Sequence, residues 1–283
     1  MKLEKILAGI DLEKDTERVL AYASYFAKTF GASLKLIHVI DYLTTPPEYL
    51  APYVKEEQRM VEEKFDLLRE RLLASGMKVE TEVLVGRLRE SFDTAIRTAK
   101  ADMLVLGFVS HVLRRSSSEK LIKGLQTRML VVRGEKAESA GDGPLEIARI
   151  LCTTDFSDIS GRAVKTAAEL ADKLSARLEI LHVFPNRLFE QMKTLEDRDN
   201  ILKALCAEAK DRLEKVVRDS SVASAGLMED GEPYKKIVSV AKENDFDLIV
   251  MGARGLGRIE GMLIGSVTDA VLKSAPCPVL VIH

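Results

Sequence analysis

The sequence predicts an α/β protein made of two repeated doubly wound domains, each with a mostly parallel five-stranded sheet flanked by helices in the Rossmann-like manner. Three observations carry this. The chain has 283 residues, which exceeds one compact domain and suits two of about 140. Its two halves repeat one pattern. Within each half, short apolar runs alternate with stretches of helical periodicity, the signature of an α/β layer fold.

The repeat is read from offsets. ILAGID ends at Asp11 and ILCTTD at Asp155, 144 positions apart, and LKLIHVI (Leu34–Ile40) matches LEILHVF (Leu178–Phe184) at the same offset. DMLVLG (Asp102–Gly107) matches DLIVMG (Asp247–Gly252) at 145, as Gly86 matches Gly231. MLVVR from Met129 and VLVIH from Val279 align at 150. The offset therefore grows by five between Gly107 and Ser116, where the copies differ in length.

In the second copy, ILCTTD is a strand ending in turn formers. A helix follows over GRAVKTAAELADKLSA, with Val164, Ala167, Ala168, Ala171 and Leu174 on one face. LEILHVF is the next strand. A long helix from about Glu190 to Arg218 places Leu202, Leu205, Ala209, Leu213 and Val216 together. A short segment then leads to Gly231 and the helix PYKKIVSVAKEN. DLIVMG and PVLVIH close the unit, with a helix around Thr268–Lys273 between them. The apolar runs are continuous, as in parallel strands covered on both faces. The first copy follows the same plan, with VKEEQRMVEEKFDLLRERLLASG as its long helix. Residues 1–133 form one domain, the polar stretch GEKAESAGDGPLE (134–146) the linker, and residues 147–283 the other.

Composition excludes several classes. A hydrophobic content of 46% supports real cores, against whole-chain disorder. With 42 basic and 44 acidic residues, net charge −2, the chain lacks the basic footprint of a nucleic-acid binder. Lys2, Glu4 and Lys5 interrupt the N-terminus, against a signal peptide, and no apolar run is long enough to span a membrane. Cys152, Cys206 and Cys277 are distant and odd in number, fitting neither a disulfide framework nor a zinc spacing. A reducing, cytoplasmic setting follows as the expectation.

The chemistry-bearing stretch is GARGLGRIEGMLIGSV, with glycines at 252, 255, 257, 261 and 265. Glycine in a helix interior costs roughly 0.5–1 kcal/mol relative to alanine, so this is a loop. It follows the fourth strand and runs into the helix containing Thr268. Open parallel sheets bind ligands beyond the carboxyl ends of their strands, at the switch in strand order. Asp155, Val183, Met251 and Gly252 lie at such strand ends. Glycines let a backbone curl its N–H groups around an anion, and a helix N-terminus adds unpaired donors. Ser266 and Thr268 bring hydroxyls there, for phosphate or as N-caps. Arg254 and Arg258 fit either phosphate contact or solvated loop positions.

The spacing of Gly252, Gly255 and Gly265–Ser266 reads G-x2-G-x9-G-S. This resembles the universal stress protein family, in particular its ATP-binding branch. The Asp after the first strand, LHV in the second and the ending APCPVLV extend the resemblance over the chain, which looks like a tandem of two family domains. The resemblance implies that Asp155 contacts the adenine side and that Val183 backbone groups help fix the base. It places Met251 and Gly252 near base and ribose, Gly255 near ribose and phosphates, and the backbone of Gly265, Ser266 and Val267 on the phosphates, beside Thr268. ATP is the implied ligand, with Mg²⁺ as the ion that would bridge its phosphates, although no carboxylate announces a metal site. Dimer-like pairing through the last strands is implied too, here as an intrachain pseudo-dimer, with a homodimer as a further step. No protein partner can be named.

The first copy keeps Asp11, Val39, Leu106 and Gly107 but departs afterwards. Ser110 stands for the second glycine, Arg115 for the third, and five positions are missing. A side chain at the last glycine would crowd the approach of backbone to phosphate. The first domain is thus expected to be structural or regulatory. His38 and His182 have no serine or cysteine nucleophile tied to them and read as hydrogen-bonded core residues. The RRSSS run (Arg114–Ser118) reads as a helix start or a phosphorylation target. The reading is an ATP-binding stress-response regulator without catalytic residues. The alternatives are a slow ATPase or phosphotransfer enzyme on the same site and a structural protein without nucleotide.

Overall fold

The computed structural model describes residues 1–12, 15–41, 51–108, 117–134, 145–185, 198–256 and 263–283. Two compact units emerge, Lys2–Arg133 and Glu146–His283. Residues 135–144, the body of the expected linker, lie outside the described residues.

In the first unit the elements are β1 (Lys5–Gly9), α1 (Thr16–Phe30), β2 (Ser33–Asp41), α2 (Ala51–Ala74), β3 (Val79–Gly86), α3 (Leu88–Ala99), β4 (Met103–Gly107), α4 (Ser117–Gly124) and β5 (Met129–Val132). Strand order is β3-β2-β1-β4-β5, every pair parallel. The second unit repeats this with β6 (Arg149–Thr153), α5 (Asp158–Leu174), β7 (Arg177–Pro185), α6 (Arg198–Arg218), β8 (Ser224–Gly231), α7 (Pro233–Glu243), β9 (Leu248–Gly252), α8 (Ser266–Ser274) and β10 (Val279–Ile282). Its order is β8-β7-β6-β9-β10, again parallel throughout. The direction of strand succession reverses between β1 and β4, and between β6 and β9. These are the switch points.

The central strands are covered on both faces, which is why their sequences do not alternate. Leu248 to Gly252 of β9 and Val279 to Ile282 of β10 are all buried. Helix α5 turns Ala163, Val164, Ala167, Ala168 and Ala171 onto the sheet. It begins where Ser157 caps it, the side chain accepting from the Ser160 amide. Pro233 opens α7, where its missing N–H costs no helical hydrogen bond.

The expected long helix of the second unit is described from Arg198; residues 190–197 lie outside the described set. In the first unit the long helix spans Ala51–Ala74, and the chain turns at Gly76 with φ +81°. The segment before Gly231 is strand β8. It lies at one end of the strand order and is partly exposed along its length, so its sequence, SAGLMEDG, lacks an apolar run.

The repeat reaches the backbone. Leu12 and Phe156 both have φ +63°, Gly31 and Ser175 have +66° and +54°, Gly86 and Gly231 have +157° and +140°, and Lys100 and Asp245 have +52° and +54°. Each pair is separated by the repeat offset, so the same turns are cut at the same places. The amino ends match as well. Asp102 Oδ2 accepts the amides of Glu4 and Lys5 at 2.7 and 2.9 Å, and Asp247 Oδ2 accepts those of Ala148 and Arg149 at 3.0 and 2.9 Å. The aspartate opening DMLVLG and DLIVMG is thereby a tie between the first and fourth strands of its unit.

Candidate functional site

The site grows from the unequal lengths of β6 and β7. Pairing between them ends at Thr153 with Leu181, and the Thr154 amide donates to the Leu181 carbonyl at 2.9 Å. Beyond that, β6 turns away while β7 runs on to Pro185. In a parallel strand, residues two apart turn their amide and carbonyl to the same side. Leu181 faces β6, so Val183 faces the space that β6 has vacated. Its backbone presents a donor and an acceptor to the switch-point crevice.

The turn leaving β6 is held by Asp155. Its Oδ1 accepts the Ser157 amide at 3.1 Å and the Ser157 hydroxyl at 2.6 Å; its Oδ2 accepts the Leu256 amide at 2.8 Å. Partial burial works to raise the pKa of this carboxyl. The hydrogen bonds from Ser157, Leu256 and Ser160 outweigh it and hold the pKa below the ordinary aspartate value.

On the far side stands the start of α8. Gly265 is its N-cap, with φ −76° and ψ 159°, and glycine brings no side chain to cap the helix. Ser266 and Thr268 therefore do not serve as N-caps. Thr268 is buried, and its hydroxyl donates to the Gly252 carbonyl at 2.9 Å, tying α8 to the end of β9. The first-turn amides of a helix lack intrahelical acceptors, and here the glycine N-cap has no side chain to satisfy them. The Gly265 amide itself donates to Ala253 O at 2.7 Å, which closes the base of the loop.

The glycines differ in what they require. A Cβ at Gly252 would lie 2.9 Å from Ile159 Cγ2, and one at Gly255 would lie 2.2 Å from Asp155 Oδ2. At Gly265 the nearest atom, Arg254 Cα, would be 3.5 Å away, an ordinary contact. The first two are glycines for internal packing. At Gly265 the protein leaves room for a side chain, and that room opens onto the crevice.

Asp155, Val183, Met251, Gly252, Arg254, Gly255, Gly265, Ser266, Val267 and Thr268 all line one cavity of about 330 Å³. Ligand pockets commonly run from about 300 to 1,000 Å³. The sequence reading did not foresee Thr154, Ser160, His182, Pro233, Ile237 and Leu256 on its wall. Pro233 and Ile237 come from α7, whose approach to the crevice no local pattern announces. Gly257, Arg258 and Gly261 lie outside the described residues, as do Ser110, Arg114, Arg115 and Ser116 of the first domain.

His182 Nδ1 lies 2.9 Å from Thr154 O, so it carries the proton and donates. The ring packs on Phe156 at 4.3 Å, and the Arg212 guanidinium lies over Phe156 at 4.5 Å. Burial is the main cause that pushes the His182 pKa down, helped by Arg212, against the Thr154 hydrogen bond and Asp155. His38 repeats the contact with Ile10 O at 2.7 Å. Both histidines are thus anchored to the strand end beside them. Among the described residues no three His, Cys, Asp or Glu side chains cluster to hold a metal ion. No described helix is long and apolar enough to cross a membrane.

Fold and site together define a class: doubly wound α/β domains with a crevice at the switch point, glycine-bordered and facing the start of a helix whose N-cap is glycine. The family model for the universal stress protein family matches residues 2–133 and again 146–283, and the chain belongs to that family. It is similar to a universal stress protein of Mycolicibacterium smegmatis, 27% identical over 98% of this chain and 96% of that one. A universal stress protein of Methanocaldococcus jannaschii is 34% identical over 47% of this chain and 81% of its own length. The crystal structure of a universal stress protein from Archaeoglobus fulgidus has the same fold, with TM-score 0.74 and 22% identity over 99% of this chain and 96% of that one.

Proposed function

We propose that the second domain binds ATP and that the bound state regulates contacts with other proteins, the first domain serving as a structural or regulatory partner. The observation that carries this is the convergence of Gly252, Gly255 and Gly265–Thr268 on the same cavity as Val183. The Val183 amide and carbonyl suit the edge of a base. The first turn of α8 suits phosphate, and Gly265 leaves a cradle that a side chain would fill. The described residues build no metal site of their own, so Mg²⁺ would be held mainly by the phosphates. Arg254 on the cavity wall adds positive charge toward the same anion.

Hydrolysis would need a base beside the terminal phosphate. Among the described residues, Asp155 is the acidic side chain on the cavity wall, and both its oxygens are engaged. A binding protein is therefore favoured over an enzyme. Pairing of the domains through their last strands, and of chains into a homodimer, stays part of the proposal on the family resemblance alone.

Isothermal titration calorimetry tests the proposal. One ATP per chain is expected, with binding weakened about a hundredfold or more in Gly265→Arg, equal to the loss of about 2.7 kcal/mol. The substitution places a side chain where the backbone has room, so circular dichroism should be unchanged. Two sites per chain, or none, would overturn the asymmetric assignment.

A further inference from the structure

We infer that Asp155 is a positioning residue: its carboxylate clasps the loop between β9 and α8 to the start of α5, and glycine stands at 255 because only glycine admits that clasp. Oδ1 is occupied by the amide and hydroxyl of Ser157, whose Oγ also accepts from the Ser160 amide at 3.3 Å. Oδ2 reaches 101 residues along the chain to the Leu256 amide. Leu256 itself is 72% exposed, and this carboxylate is the acceptor that holds its amide. A methyl group on Gly255 would lie 2.2 Å from Oδ2 and 3.3 Å from Cγ, so carboxylate and side chain exclude each other.

The second glycine of the spacing is therefore explained by a contact within the protein. In the first domain the matching position is Ser110, and Asp11 accepts the hydroxyl of Thr16, from the first turn of α1, at 3.2 Å. A glycine-rich loop is costly to order. Tethering it at Leu256 fixes the described start of the loop beside the cavity before a ligand arrives, which favours binding by preorganisation. The consequence for binding rests on the nucleotide reading of the cavity; the clasp is a property of the protein itself.

The experiment separates the two. Hydrogen exchange of the Leu256 amide is measured without nucleotide in the wild type, Asp155→Asn and Gly255→Ala. ATP and inorganic triphosphate are then titrated into each. Both variants should exchange Leu256 about tenfold faster or more, and both should lose ATP and triphosphate affinity by the same factor, about tenfold. Gly255→Ala keeps the carboxylate and displaces it, so it reports on the clasp even if Asp155→Asn folds poorly. Unchanged exchange at Leu256 in both variants overturns the clasp. A loss confined to ATP, with triphosphate unaffected, assigns Asp155 to base recognition and overturns the positioning role. If the wild type binds neither ligand, the nucleotide reading fails, and the exchange measurement still decides the clasp.

Discussion

At the end of β1, Asp11 accepts a hydroxyl from the helix that follows it; at the end of β6, Asp155 reaches across to the loop after β9. The residues behind these aspartates, Leu12 and Phe156, share a left-handed backbone at φ +63°. A non-glycine residue there is strained by about 1 kcal/mol or more. The strain is thus a property of the repeated scaffold, present in both units. What distinguishes the units is the sequence after the fourth strand: G-x2-G-x9-G-S in one, and a stretch five residues shorter with Ser110 and Arg115 in the other. Scaffold and proposed ligand site can be told apart by substitution.

The largest effect is expected where both units are tight. A Cβ at Gly252 would meet Ile159 Cγ2 at 2.9 Å, and one at Gly107 would meet Asp15 Cβ at 3.1 Å. Overpacking a core position costs about 1–3 kcal/mol. Gly252→Ala should fall within that range and Gly107→Ala near its lower end, read from urea denaturation. Equal packing demands at both strand ends would confirm that this glycine belongs to the scaffold. A silent Gly107→Ala beside a costly Gly252→Ala would mean that the two strand ends are built differently.

A smaller effect, dependent on pH, should mark Asp155. Its folded pKa lies below the ordinary aspartate value. Its ionised form therefore stabilises the fold above about pH 4, and the contribution is lost as pH falls through the lowered folded pKa. Because the group is half-buried, the discounted size is about 1 kcal/mol. Wild type should exceed Asp155→Asn by that amount at pH 7, and the gap should narrow as pH falls through the lowered folded pKa. A gap that is constant with pH would trace the difference to packing and remove the charge from the account.

Much of this was legible in the sequence, and the parts that were not share a cause. Continuous apolar runs such as DLIVMG announce buried parallel strands because burial on both faces leaves no room for polar alternation. The repeat then supplied the strand order's symmetry, and the ten residues placed at strand ends and loop do line one cavity. Strand β8 went unnoticed because an end strand with exposed residues carries no such run. Pro233 and Ile237 reach the cavity through the packing of α7, which is decided by contacts distant in sequence. The N-cap alternative for Thr268 fails for a similar reason. Its hydroxyl had a buried carbonyl to satisfy at Gly252, and that demand is invisible until β9 and α8 are brought together. The Asp155–Ser157 turn is local and could have been found from D-x-S before a helix. The reach of its carboxylate to Leu256 could not.

The smallest effect on stability, and the one that best isolates the ligand site, belongs to Gly265→Ala. The backbone there has φ −76°, open to any residue, and a Cβ would sit at ordinary contact distance from Arg254 Cα. Two terms oppose each other. Alanine restricts the unfolded chain, worth about 0.4–1 kcal/mol in favour of folding. It is also a poorer N-cap than glycine by a few tenths of a kcal/mol or more. The net change in stability should stay within about 0.5 kcal/mol, the range of an innocuous site. Yet the methyl group would stand on the cavity wall beside the first-turn amides of α8, so ATP affinity should fall several-fold in calorimetry while the urea midpoint holds. A matched loss of stability and affinity would return Gly265 to the scaffold, alongside Gly252 and Gly107. An unchanged affinity would leave the room around Gly265 without a ligand to explain it, and with it the contrast between the two units.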